Sequence, residues 1–145
     1  MKNRTRGFTF MEVMVVLLII GLISAVVGPN IYGMFKKSQR KAALIQIQEL
    51  HRALKLFKMD QGRYPAESEG LAALIQAPAG LPKPQEFPPD GGYLGGALPL
   101  DPWGRPYAYF CPGRTGGSYE LVSSGEDPER AEDDLVSPPP ENLSR

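Results

Sequence analysis

The 145-residue chain is poor in the side chains that most catalytic and metal sites use. It contains one cysteine, Cys111, and one histidine, His51. A single cysteine cannot form an intrachain disulfide, and one histidine with one cysteine is too little for a catalytic triad or a zinc site. We therefore interpret Cys111 as a half-buried thiol that acts as a small apolar residue, and we give His51 a surface or packing role.

The chain also lacks a net charge, because 16 basic residues balance 16 acidic ones. Without a basic excess, nothing in the composition favours a nucleic-acid partner. Charge is concentrated at two places instead. Lys2, Arg4 and Arg6 crowd the first seven positions, whereas the stretch from Glu126 to Asp134 is densely acidic.

Residues 8–28 form a long apolar run that contains one charge, Glu12. As a helix this segment would span about 31 Å, which matches the roughly 30 Å hydrocarbon core of a bilayer. The basic residues before it predict a cytoplasmic N-terminus and a periplasmic remainder. The alternatives are a removable secretory signal, a plain membrane anchor and a buried core helix. The run exceeds the 7–15 apolar residues that are usual in a signal, and an acid so early would be unusual there.

Glu12 indicates a partner on another molecule. A lone carboxylate in a membrane helix costs a few kcal/mol and usually marks a function. No basic residue lies within residues 8–28 to neutralise it. Cleavage between Gly7 and Phe8 would create an ammonium four residues before Glu12. That ammonium on one subunit could pair with the carboxylate of a neighbour and offset the desolvation of both.

Residues 6–13, RGFTFMEV, resemble the processing motif of type IV pilins and pseudopilins. The resemblance implies that a prepilin peptidase removes the basic leader, residues 1–7, by cleaving after Gly7. It also implies N-methylation of Phe8 and pairing of Glu12 with the N-terminus of the adjacent subunit. Residues 8–28 would then be a transmembrane helix that also packs in the core of a filament.

Residues 34–61 return to helical periodicity, with one apolar stripe made of Ala43, Ile47, Leu50, Leu54 and Phe57. Pro29 predicts a stop or a kink between the two apolar segments. Gly62 is expected to cap the C-terminus of the helix. Residues 29–62 are thus predicted to be an amphipathic continuation of the membrane helix.

Residues 63–136 are predicted to form a small globular domain, followed by a flexible tail at 137–145. The expected elements are a short amphipathic helix at 69–76, an extended proline-rich loop at 78–92 that lies on the domain, and two strands. The strands, at 107–110 and 119–123, would pair around the turn at 112–117. Trp103 and the tyrosines are interpreted as core or sheet-face residues.

Four segments of this domain, GRYP, EGLAALIQAP, LPLDPWGRPYAY and YELVSSGEDPERAEDDL, resemble the major pseudopilins of type II secretion, the G subunits. The resemblance implies an α+β, type IV pilin-like fold, in which a long N-terminal helix packs on a small antiparallel sheet. It implies a structural subunit rather than an enzyme. Such subunits form a helical periplasmic filament, the pseudopilus, that is anchored in the inner membrane and drives protein export across the outer membrane. The implied partners are identical copies, minor pseudopilins, the prepilin peptidase and an inner-membrane assembly platform.

Two other functions remain as alternatives. A type IV pilin, or a minor pilin-like subunit of a surface fibre, would share the N-terminal motif, but such pilins often carry a C-terminal disulfide that one cysteine cannot supply. A secreted enzyme or binding module behind a signal peptide would need paired carboxylates for acid–base chemistry. No convergent pair is evident outside the acidic segment.

Residues 123–134, which we term the acidic loop, are rich in the hard oxygen ligands that calcium prefers. The composition alone also fits a solvated surface loop. The resemblance implies one calcium ion, bound through Asp127, Asp133 and Asp134 with backbone oxygens of Ser124 and Glu126. Calcium would neutralise the carboxylates and hold the loop against the sheet.

Overall fold

A computed structural model describes the backbone of residues 7–130 and 133–137, and the side chains of these residues except 26–31. The chain divides into two compact units, residues 1–38 and 39–145. One helix, α1 (Phe10–Gln61), contributes to both units. The described part of the second unit adds three short 3-10 helices (Leu71–Leu74, Pro84–Glu86 and Gly92–Leu94) and strands β1 (Ala108–Phe110), β2 (Glu120–Ser123) and β3 (Leu135–Ser137).

Both ends of α1 follow from local chemistry. The Thr9 hydroxyl accepts a hydrogen bond from the backbone N–H of Glu12 at 3.2 Å, which satisfies one of the free amides of the first turn. The helix continues through Pro29, so this proline does not terminate it. Gly62 has φ 77° and donates its N–H to the carbonyl of Lys58 at 2.8 Å. The predicted glycine cap is therefore confirmed.

The apolar stripe of α1 lies in the core of the second unit. Its five predicted members, Ala43, Ile47, Leu50, Leu54 and Phe57, are each at most 1% exposed. Full burial of one large apolar side chain stabilises a fold by roughly 1.5–3 kcal/mol, whereas an exposed ion pair contributes about 0–1 kcal/mol. Apolar burial, rather than the surface charges, therefore holds this part of the helix in the domain.

The sheet is antiparallel in the order β1-β2-β3. Tyr109 pairs with Leu121, and Leu121 pairs in turn with Ser137. The two predicted strands and their pairing are confirmed. Strand β3 was not predicted, and it includes Ser137, which the sequence assigned to the tail. The rest of that tail, residues 138–145, lies outside the described residues.

The region between the helix and the sheet is less helical than predicted. The helix expected at 69–76 is one 3-10 turn at Leu71–Leu74, whose Leu71 and Leu74 are buried. Gly70 before it has φ 59° and Pro78 follows shortly after. Only a short stretch is left between these two breaks, so a full α-helix does not form.

The proline-rich loop lies on the domain, as predicted. The Gln61 side-chain amide donates to the carbonyl of Lys83 at 2.9 Å and accepts from the N–H of Lys83 at 3.0 Å. The Tyr93 hydroxyl donates to the Asp60 carboxylate at 3.0 Å. The end of α1 thus holds the loop at Lys83 and, just beyond the end of the loop, at Tyr93.

His51 joins the helix to the sheet. It is 8% exposed, with Nδ1 2.7 Å from the Tyr119 hydroxyl and Nε2 3.0 Å from Oγ of Ser137. Burial lowers the pKa of the imidazole. The packing role is confirmed, as is the half-buried state of Cys111. Tyr107, Tyr109 and Tyr119 are buried, and Trp103 packs against the same core.

Candidate functional site

The residues predicted to serve processing and assembly lie together at the start of α1. Gly7, Phe8, Thr9 and Glu12 line one open depression of about 460 Å³. Phe8 is 81% exposed, and a Cβ added to Gly7 would meet nothing within 4 Å. The peptide bond between Gly7 and Phe8 is therefore accessible to another protein.

Glu12 is exposed in the first turn of α1, where the partial positive charge of a helix N-terminus favours an acid. None of the ion pairs found among the described residues involves Glu12. Its carboxylate is thus available for a partner outside the described part of the chain. This geometry is compatible with the assembly role that the resemblance implies.

The first half of α1 presents uncovered apolar surface. Its large apolar side chains from Met11 to Ile23 are each at least 46% exposed. Monomeric soluble proteins rarely expose contiguous apolar patches of this size, and such patches mark sites of protein or membrane contact. Over the described residues, no helix was found to be both long enough and apolar enough to cross a membrane.

Asp101 organises the LPLDPWGRPY segment. It is 3% exposed, and its Oδ1 accepts from the backbone N–H groups of Trp103 at 3.1 Å and Arg105 at 2.8 Å. Its Oδ2 accepts from the Ser123 hydroxyl at 2.7 Å. An aspartate that bonds the backbone two residues ahead is a common way to form a tight turn. Asp101 therefore builds this turn and joins it to β2.

The turn places Arg105 against the acidic loop. The guanidinium donates to the carbonyl oxygen of Gly125 at 3.0 Å and to that of Glu126 at 3.2 Å. A Cβ on Gly125, which has φ 62°, would lie 2.4 Å from the carbonyl oxygen of Asp133. The two ends of the loop are therefore in backbone contact, and only glycine allows this approach.

The structure describes all five predicted calcium ligands, which are Ser124, Glu126, Asp127, Asp133 and Asp134. Asp127 accepts from the N–H of Glu129 at 3.1 Å and lies 3.5 Å from Arg130. Carboxylate and carbonyl oxygens suit calcium, so the donor set fits the ion in its chemistry. No group of three metal-ligating side chains was found within residues 7–130 and 133–137.

Comparisons with known families cover nearly the whole chain. The model for the prokaryotic N-terminal methylation motif matches residues 2–28, and the model for type II secretion system protein G matches residues 30–137. The chain belongs to the type II secretion system protein G family.

Individual relatives agree with this assignment. The type II secretion system core protein G of Aeromonas hydrophila is 41% identical over 93% of this chain and 92% of the relative. That of Escherichia coli K12 is 38% identical over 93% and 92%. The crystal structure of the major pseudopilin from the type 2 secretion system of enterohaemorrhagic Escherichia coli matches with a TM-score of 0.63 and 32% identity, over 75% of this chain and 94% of that one. The resemblance and the fold class inferred from the sequence are thereby confirmed.

A buried carboxylate secures the sheet of this protein G family member. Glu120 is 1% exposed. Its carboxylate accepts from the Arg114 guanidinium at 2.7 and 2.9 Å and from the Thr115 N–H and hydroxyl, each at 3.1 Å. Burial raises the pKa of the Glu120 carboxyl, but the bonds from Arg114 and Thr115 outweigh it and the net shift is downward. Glu120 thus fixes the turn between β1 and β2.

Three of these residues escaped the reasoning from sequence. Asp101 was seen only as part of a family motif, although its position before Pro-Trp-Gly is typical of an aspartate that forms a turn. Glu120 lies in a predicted strand and gave no sign that it would be buried. The contact of Arg105 with Gly125 spans 20 residues, and no local pattern predicts such a pair.

Proposed function

We propose that this protein is the major structural subunit of a type II secretion pseudopilus, a periplasmic filament whose growth drives folded proteins across the outer membrane. The observation that carries the proposal is the succession of a methylation motif, an uncovered apolar helix segment and a protein G domain in one chain. Each part has a role only if the subunit is processed, anchored and packed against copies of itself.

Processing takes place at the accessible peptide bond between Gly7 and Phe8. A prepilin peptidase cleaves there and methylates the new amine of Phe8. Residues 8–28 anchor the subunit in the inner membrane, with residues 29–137 on the periplasmic side. The assembly platform in that membrane then adds the subunit to the growing filament, which minor pseudopilins also join. The apolar character of residues 8–28 and the basic flank before them support this orientation.

Assembly replaces the lipid around the apolar segment by the segments of neighbouring subunits. The carboxylate of Glu12 pairs with the ammonium of Phe8 on an adjacent copy. A charge pair removed from water contributes only when both partners are present. The pair therefore favours one axial offset between adjacent subunits over the alternative offsets.

Mass spectrometry of the N-terminus tests this proposal directly. Protein extracted from membranes is expected to begin at Phe8 with one methyl group on its amine. A Gly7→Ala variant should retain residues 1–7, whereas Gly21→Ala, a matched change within α1, should be processed normally. A mature protein that begins after residue 25, or still bears its first seven residues, contradicts the proposal.

We further propose that the acidic loop holds one calcium ion through Asp127, Asp133 and Asp134, with backbone oxygens of Ser124 and Glu126. When bound, the ion would neutralise the repulsion among these carboxylates. The contact between Gly125 and Asp133 supports the proposal, because it closes the loop that would surround the ion.

Removal of calcium is expected to destabilise the folded domain. A ligand present at about 30 times its Kd stabilises the folded state by about 2 kcal/mol. Removal of the ligand therefore lowers Tm by roughly 10 °C. Calorimetry of the full chain in detergent, with and without a chelator, measures this. Asp133→Ala should abolish the difference, and Asp90→Ala, a change at an exposed acid elsewhere, should preserve it. Identical melting curves with and without calcium would refute the site.

A further inference from the structure

Arg105 is held rigidly at its backbone. Its N–H donates to the buried carboxylate of Asp101 at 2.8 Å, and its carbonyl accepts from the N–H of Asp101 at 2.7 Å. The preceding Gly104 has φ 83° and donates its N–H to the carbonyl of Asp101 at 2.8 Å. Because three hydrogen bonds close the turn, the backbone of Arg105 has a fixed position on the domain, and so does the base of its side chain.

The guanidinium reaches the entrance of the acidic loop. It donates to two consecutive carbonyl oxygens, those of Gly125 and Glu126, at 3.0 and 3.2 Å. Arginine presents several N–H donors in a planar fork, stays charged at all accessible pH values and accepts no hydrogen bond. Backbone carbonyl oxygens such as these two are also ligands of the type that calcium uses.

We propose that Arg105 is a built-in cation of the acidic loop, which closes the loop entrance at Gly125 and Glu126 whether or not calcium is bound. The loop then has two separately held parts. Arg105 holds the backbone at its entrance, and the carboxylates of Asp127, Asp133 and Asp134 respond to calcium. The second part rests on the calcium site proposed above, whereas the first part does not.

This arrangement has a consequence for the carbonyl of Glu126. In the structure that oxygen already accepts from Arg105, so the guanidinium and a calcium ion would share it. Without Arg105, the carbonyls of Gly125 and Glu126 would lose this charged partner, and a bound calcium ion would supply a larger share of the positive charge beside them. Loss of Arg105 should therefore make the stability of the loop more dependent on calcium.

The test compares three variants of the full chain in detergent. Arg105→Gln removes the cation and most of the fork. Arg105→Lys keeps the charge without the fork. Arg130→Gln is the matched control, because it also removes one positive charge that contacts the acidic loop. Its side chain is 73% exposed and lies 3.5 Å from Asp127, and such an exposed pair contributes little.

In chelator, Arg105→Gln is expected to lower Tm by about 4–8 °C, since bonds from a charged group are lost. Amide hydrogen exchange within residues 126–134 should become roughly tenfold faster, because the loop opens locally more often. The Tm and the exchange rate of Arg105→Lys should lie between those of Arg105→Gln and the wild type. Arg130→Gln should match the wild type in both measurements. Equal behaviour of Arg105→Gln and Arg130→Gln in chelator would overturn the proposal.

A calcium titration separates the two parts of the inference. The rise in Tm on adding calcium should be larger in Arg105→Gln than in the wild type. An equal rise in both would overturn the coupling between Arg105 and calcium. If calcium leaves the wild-type Tm unchanged, the proposed calcium site fails. In that case the measurements in chelator alone decide whether Arg105 holds the loop.

Discussion

A Glu120→Gln variant is expected to lose about 3 kcal/mol of stability and to melt roughly 10–20 °C below the wild type. The carboxylate is 1% exposed and accepts four hydrogen bonds from Arg114 and Thr115. An amide has the same size but only one acceptor oxygen. Its NH2 group would face the donors of Thr115 or those of Arg114, and the two donors that now share one carboxylate oxygen would lose their acceptor.

The effect of Glu120 also has a predicted pH dependence. The pKa of its carboxyl is lowered in the folded state, so its contribution is present above the ordinary glutamate pKa and is lost as pH falls through the folded value. The difference between wild type and Glu120→Gln should be constant near neutral pH and shrink in acid. Chemical denaturation at several pH values measures this. Glu86→Gln, at an exposed ion pair with Lys83, is the control. A difference that persists unchanged in acid would contradict the ionised state of Glu120.

Glu12→Ala is expected to leave cleavage after Gly7 intact and to reduce filament yield at least tenfold. In the proposed function, the peptidase cleaves the bond between Gly7 and Phe8, whereas the pair between Glu12 and the Phe8 ammonium forms only between subunits. Close charge pairs at protein interfaces contribute roughly 1.5–7 kcal/mol in double-mutant cycles, which corresponds to tenfold or more. Mass spectrometry reports the cleavage, and electron microscopy of sheared filaments reports the yield.

Two further variants isolate the charge of Glu12. Glu12→Gln keeps the size of the side chain and should assemble as poorly as Glu12→Ala. Glu49→Ala removes an exposed acid from the second half of the same helix and should assemble normally. Normal filaments from Glu12→Gln would show that assembly does not need the Glu12 carboxylate. The proposal that its pair with the Phe8 ammonium sets the axial register would then be wrong.

The part of the fold that periodicity governs could be predicted from the sequence. The stripe from Ala43 to Phe57 repeats at helical spacing, and every member is buried. Gly62 ends the helix because a left-handed residue is needed there. The processing and assembly roles of Gly7 and Glu12 were also inferred from a motif that is local in sequence, and they stay predictions. These features depend on near neighbours along the chain.

The features that escaped prediction depend on distant neighbours. Strand β3 is three residues long and lies between acidic and proline-rich segments, so its pattern is too short to be recognised. Glu120 and Asp101 are polar residues whose burial is set by donors that the fold brings to them. Arg105 meets the acidic loop only because the turn at Asp101 aims it there. Such contacts follow from tertiary structure rather than from periodicity.

The Gln61 amide offers its oxygen and its NH2 group to one residue, Lys83, much as a peptide group does within a sheet. The side chain thereby closes the segment between them into a ring without a covalent bond. Exported domains commonly use a disulfide for such a closure, which a chain with one thiol cannot make. Because both an acceptor and a donor are required, glutamate or lysine at this position would supply only half of the peptide-like pairing.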